Sequence, residues 1–152
     1  MTSSPARERH EGFWAGVDRD ENPGMEVVFE ADTQWLEPNA RKEMDSALAR
    51  FPRIDLVFAH NDPGAHGAYL AAKAAGRHEG MRFIGIDALP HEGVRYVREG
   101  LLDVTFLYPT CAKEALALAR DLALGRKPEK KFVSLGTRRF DRASVSTGGV
   151  AL

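Results

Sequence analysis

The chain has one cysteine, Cys111, so no intrachain disulfide can form and the redox compartment is not reported. It also lacks a charge imbalance. Twenty-one Lys and Arg against 22 Asp and Glu leave a formal net charge of -1, which removes the electrostatic case for nucleic acid or an anionic membrane as a partner. The basic cluster RKPEKK at residues 126–131 is short, broken by Pro128 and Glu129, and reads as a solvated loop. No apolar run approaches the ~20 residues of a membrane span, so no membrane insertion is expected. The opening MTSSPARERHEG has no apolar core of a secretory signal. As written, the chain is expected to remain in the cytoplasm, although a mature product of an exported protein would look the same.

Chemical motifs are scarce as well. The five histidines, His10, His60, His66, His78 and His91, show neither HxxxH nor HExxH spacing, so no metal site is expected. There is no GxGxxG after a strand and no GxxxxGK[ST], so nucleotide phosphates lack their usual cradle and no cofactor is expected. Cys111 falls in the first turn of a predicted helix, where a thiol pKa can drop. No histidine is placed near it by sequence, and it reads as a small buried cysteine. The chain is therefore not expected to be an enzyme.

What is present is an alternation of apolar runs with helical periodicity. Residues 6–17 suit a helix with Pro5 in its first turn and Phe13, Trp14 and Val17 as an apolar stripe. MEVVF (25–29) is a short strand. Leu36, Ala40, Met44, Ala47, Leu48 and Phe51 recur at helical spacing until Pro52. DLVFA (55–59) is a second strand. Asp62, followed by Pro63, reads as the N-cap of an Ala-rich helix closed by Gly76. MRFIGI (81–86) is a third strand, residues 90–99 a short helix, and residues 103–107 a fourth strand. Residues 109–124 form a long helix with Ala112, Ala115, Leu116, Ala119 and Leu122 inside. Residues 131–135 form a fifth strand. From residue 136 onward the chain reads as a loop with room for one more short strand, fraying at 146–149. The fold class is α/β: a doubly wound parallel sheet in three layers, helices on both faces. Residues 1–140 make the lobe and 141–152 a tail.

In such sheets ligands bind beyond the carboxyl ends of the strands. Asp32, Thr33, Gln34 and Trp35 follow the first predicted strand, Asn61 and Asp62 the second, Asp87 the third, and Tyr108, Pro109 and Thr110 the fourth. The set suits a polyhydroxylated molecule. A carboxylate such as Asp87 accepts from two neighbouring hydroxyls, an amide such as Asn61 donates and accepts, Arg7 offers a fork of donors, and Trp35 and Tyr108 offer flat faces to ring C–H groups. Structural readings stand beside these. Asp62 is a cap rather than a contact, Asn61 and Asp87 can be caps or turn formers, Trp35 can cover the start of the second helix, and Arg7 can be a solvated helix residue. Arg9 competes with it for any role in the site.

At these same residues the sequence resembles a known family. ARERHEGF (6–13), VFAHNDPGAHGAYLAAKAAG (57–76), FIGIDALPHEGVRYVREGLLDVTFLYPT (83–110) and EALALARDLALG (114–125) are similar to the C-terminal lobe of type 1 periplasmic sugar-binding proteins, ribose binders in particular. Lac-repressor-type effector domains share that fold. The resemblance spans residues 6–139. It implies a single lobe of the periplasmic binding protein-like I fold and a sugar site in which Arg7, Trp35, Asn61 and Asp87 take the family's contact positions. Tyr108 stands where the family has glutamine, a departure that argues against ribose itself. The resemblance further implies a periplasmic setting, a monosaccharide or similar polyol as ligand, and an ABC permease as partner in the parent system. The family's N-terminal lobe and the interior strand that opens this lobe have no counterpart here. A missing lobe or a second chain filling the sheet is therefore expected. The alternatives are an effector-binding lobe of a transcriptional regulator or sensor kinase and, less favoured, an enzyme on a flavodoxin-like fold.

Overall fold

The computed structural model describes residues 3–18, 20–128 and 132–152. Helix α1 spans Ser4–Gly16 and α2 spans Glu37–Arg50, each with a proline in its first turn. Strand β1 is Leu56–Phe58, followed by α3 (Asp62–Ala74), β2 (Arg82–Asp87), α4 (Gly93–Glu99) and β3 (Val104–Leu107). Helix α5 is Ala112–Ala123, and strands β4 (Arg138–Asp141) and β5 (Val150–Ala151) flank a 3-10 turn at Val145–Thr147.

The five strands form one sheet in the order β1-β2-β3-β4-β5. β1, β2 and β3 are parallel, with Val57 opposite Phe83 and Gly85 opposite Thr105. β4 runs antiparallel to β3, with Thr105 opposite Phe140, and β5 antiparallel to β4. Parallel neighbours stepping in one direction through right-handed crossovers put α3 and α4 on the same face. That face is the core. Phe83, Gly85 and Thr105 are buried on it beneath Ala65, Ala68, Ala71, Ala72 and Val97, with Met44 and Ala47 of α2 packed in turn on α3. Small residues permit that closeness: a Cβ on Gly67 would strike the backbone of α2 at Glu37.

The opposite face is only partly covered. Ile84, Ile86, Val104 and Phe106 alternate with the buried set and are half-buried, as the period of two requires when one face lacks a full layer. α1 lies over its β1 end, where Phe13 stacks on Phe58 with ring centroids 4.9 Å apart.

The structure corrects several expectations. The predicted strand at 25–29 is not a strand. Its alternation survives, with Val27 and Phe29 half-buried and Val28 exposed, but no strand of the described sheet pairs with it. β1 is consequently an edge strand. The strand expected at 131–135 begins outside the described residues, and Phe132 and Val133 are 81% and 63% exposed. Pairing occurs instead at β4, so the sheet is mixed rather than wholly parallel. Residues 141–152 supply part of β4, β5 and the buried Val145. α5 was expected to bury Ala112, Ala115, Leu116, Ala119 and Leu122. None of its residues is buried, and Leu116 and Leu122 are 73% and 52% exposed. Cys111 is exposed as well.

Candidate functional site

The ends of β1, β2 and β3 bring a cluster to one edge of the sheet, and α1 leans an arginine into it. That arginine is Arg9. Its Nη2 donates to Asp87 Oδ1 at 2.9 Å, its Nη1 donates to the His60 carbonyl, and its side chain is 11% exposed. The guanidinium carbon lies 4.7 Å from the Tyr108 ring centroid and 5.5 Å from that of Trp35. The guanidinium that makes this charge-assisted hydrogen bond therefore also lies over two aromatic rings, contacts for which arginine is suited by its planar fork.

Of the residues expected here, Trp35, Asn61, Asp87 and Tyr108 converge, and Arg7 does not. Arg7 is 68% exposed and faces Glu11, one turn along the same helix. Two residues along a helix is a rotation of about 200°, so Arg7 and Arg9 point to opposite sides. The sequence carried the discriminating signal: Ala6, Arg9, His10 and Phe13 share the i, i+3, i+4, i+7 phase of the face that packs on the sheet.

Asn61, not Asp62, is the N-cap of α3. Its Oδ1 accepts from the Gly64 amide at 3.0 Å, and its Nδ2 donates to the Trp35 carbonyl at 3.0 Å. Asp62 is instead fully buried, accepting from Thr105 Oγ1 at 2.6 Å and from the Ala88 amide at 2.8 Å. Sequence reasoning missed His60, whose ring lies 6.4 Å from Trp35 and 6.3 Å from His10. It also missed Glu30, 3.7 Å from His10 Nδ1. Neither follows a recognisable motif.

Electrostatics at this edge are shaped first by burial. Burial raises Asp87 above the usual carboxylate range while Arg9 works against it. Burial lowers His60, and the nearby His10 and Arg9 charges add to that. Burial pushes Asp62 up to about 7 against the opposing bonds from Thr105 and Ala88. Among the described residues no cluster of His, Cys, Asp and Glu is arranged to hold a metal ion.

The backbone is strained at this same edge. Among the described residues the non-glycine positions with positive φ are Gln34, Trp35, Asp87, Ala88 and Cys111, at 53°, 66°, 120°, 52° and 51°. Asp87 is the last residue of β2, and the others lie in the segments that follow β2, β3 or residues 25–29. Such conformations cost about 1–3 kcal/mol each and gather where a site needs a side chain aimed.

A family model described as a periplasmic binding protein domain matches residues 1–127. The chain belongs to that family. Among curated relatives, a putative rhizopine-binding protein of Rhizobium meliloti is 30% identical over 135 residues, covering 87% of this chain and 43% of the relative. A D-apiose import binding protein of Actinobacillus succinogenes is 35% identical over 94 residues, 62% of this chain and 28% of the relative. Among solved structures, the fructose-binding periplasmic domain of a hybrid two-component system superposes with a TM-score of 0.88 at 43% identity, over 95% of this chain and 48% of that one. The chain of this periplasmic binding protein lobe thus spans less than half the length of these relatives.

Proposed function

We propose that this chain is one lobe of a carbohydrate-binding protein and supplies half of a site for a monosaccharide or small polyol. The observation that carries this reading is the Arg9–Asp87 pair, whose guanidinium lies over the rings of both Trp35 and Tyr108. Asp87 keeps lone pairs for neighbouring hydroxyls, Arg9 keeps further N–H donors, and Trp35, 38% exposed, offers a face to ring C–H groups. Action is by binding rather than turnover. The relatives support the ligand class: the names of the three described above specify fructose, D-apiose and rhizopine, and a solute-binding protein of Bacillus halodurans, 28% identical with a TM-score of 0.79, was solved with myo-inositol.

The other half of the site belongs to a second lobe, which closes over the ligand about a hinge. Three features support this. α5 carries an apolar stripe that nothing in the described structure covers. The outer edge of β1 is open. The face bearing Ile84, Ile86, Val104 and Phe106 is half-covered. In the parent system the pair of lobes works in the periplasm and delivers its sugar to an ABC permease. The neighbour from a hybrid two-component system favours a second reading, in which the same lobe reports its ligand to a sensor kinase. Sugar recognition is common to both.

The test is tryptophan fluorescence during titration with pentoses, hexoses and polyols, comparing the native chain with Trp35→Ala. A saturable response to one sugar, absent from the variant, is expected. If a complete cleft binds at about 1 μM, half its interaction energy corresponds to roughly millimolar affinity. A response that persists unchanged in Trp35→Ala would move the site elsewhere.

A further inference from the structure

Two of the strained turns at the ligand edge are held from a single place. Asn61 Nδ2 donates to the carbonyl of Trp35, and the adjacent Asp62 Oδ2 accepts the amide of Ala88. Trp35 and Ala88 both have positive φ, and the second turn carries Asp87. Asp62 has no exposed surface, so it cannot touch a ligand. Its other oxygen accepts the hydroxyl of Thr105 on the next strand. The glycines around it leave it room: a Cβ on Gly85 or Gly93 would collide with the carboxylate.

A buried carboxylate is destabilising unless donors meet its lone pairs. Here one donor is the amide of the residue that follows Asp87, in a backbone conformation that non-glycine residues rarely adopt. The tie to Thr105 connects that turn to β3, the strand that ends next to Tyr108.

We propose that Asp62 is a positioning residue, whose grip on the Ala88 amide fixes the Asp87–Ala88 turn and so aims the Asp87 carboxylate at Arg9 and at the ligand. The inference rests on the carbohydrate site described above for its functional meaning, but its geometry can be read without any ligand. The ionisable groups that face Asp62 are Asp87, at the end of β2, and Glu92, just before α4; both disfavour its charge. Arg9 lies beyond Asp87.

The experiment is solution NMR on the full, ligand-free chain, comparing wild type with Asp62→Asn and Asp62→Ala. The signals followed are the Ala88 amide and the Arg9 guanidinium, with Phe83 and Ile84 in the middle of β2 as controls. In wild type, the Ala88 amide proton resonance should move with pH through about 7 as Asp62 ionises. Asp62→Asn keeps an acceptor for Ala88, because Thr105 can turn its hydroxyl to accept the new amide. That variant should retain Ala88 protection and lose its pH response. Asp62→Ala should speed Ala88 exchange by about tenfold or more and shift the Arg9 signal, with Phe83 and Ile84 still protected. Unchanged Ala88 protection or an unmoved Arg9 signal in folded Asp62→Ala overturns the proposal. If Asp62→Ala does not fold, the same Ala88 pH response in wild type and Asp62→Asn overturns it. D-Fructose added afterwards tests the carbohydrate reading separately: its failure to perturb wild type would count against that reading and leave the ligand-free result standing.

Discussion

Arg9 on α1 and Asp87 at the end of β2 meet at 2.9 Å across 78 positions of sequence. That bond joins the helix on the thinly covered face of the sheet to the strained turn at its ligand edge. Arg9→Ala removes it and leaves a half-buried carboxylate without its cation. The expected cost is about 1.5–3 kcal/mol of stability, together with loss of the sugar response. Arg7→Ala, on the solvent side, should stay within about 0.5 kcal/mol of wild type. Urea unfolding of the two variants checks this; equal effects would contradict the placement of Arg9.

Asp62 makes stability depend on pH in an unusual direction. Its value of about 7 stands against 3.8 for a free carboxyl. Between those limits the folded chain holds a proton that the unfolded chain releases. Stability therefore falls as pH rises through that window, by up to about 4 kcal/mol. His60 has the opposite sign: its lowered value means the unfolded chain binds more protons below its ordinary 6.5, so its effect is loss of stability on acidification. Unfolding at about pH 5 and about pH 8, repeated in Asp62→Asn, separates the two. The variant should lack the alkaline decline that Asp62 imposes.

The two glycines beside that carboxylate should tolerate no side chain. Gly85→Ala and Gly93→Ala each place a methyl against Asp62, and overpacking of this kind costs about 1–3 kcal/mol. Gly12→Ala meets nothing within 4 Å and should be neutral or slightly stabilising. Thermal melts of the three variants decide the matter.

α5 contributes little to the stability of the lobe that carries it. Leu116→Glu and Leu122→Glu should leave unfolding by urea within about 0.5 kcal/mol of wild type, whereas Phe83→Ala, 2% exposed, should cost about 3–5 kcal/mol. The leucine changes should act on association. Sedimentation of wild type is expected to show self-association that the glutamates reduce. A large loss of stability in Leu116→Glu would mean that α5 packs on its own lobe.

Much of this architecture was legible locally. The start of α2 followed from apolar spacing, that of α3 to within one residue from Pro63, and β1, β2 and β3 from short apolar runs, because periodicity and turn chemistry act within a few residues. The convergence of Trp35, Asn61, Asp87 and Tyr108 was legible too, since the carboxyl ends of parallel strands share one edge. The choice of Arg9 over Arg7 was legible in principle as well, because Arg9 shares the helical phase of Ala6, His10 and Phe13. Three matters were decided only by the tertiary structure. Whether Asn61 or Asp62 caps α3 depends on Thr105 and Ala88, which claim the Asp62 carboxylate from distant segments. An apolar run such as residues 25–29 becomes a strand only if a neighbour offers hydrogen bonds, while β4, less apolar, becomes one because β3 does. The stripe of α5 announces a surface to be buried, but a sequence cannot bury it without the partner surface. In each case the deciding term is a contact between residues far apart in the chain, where periodicity carries no information.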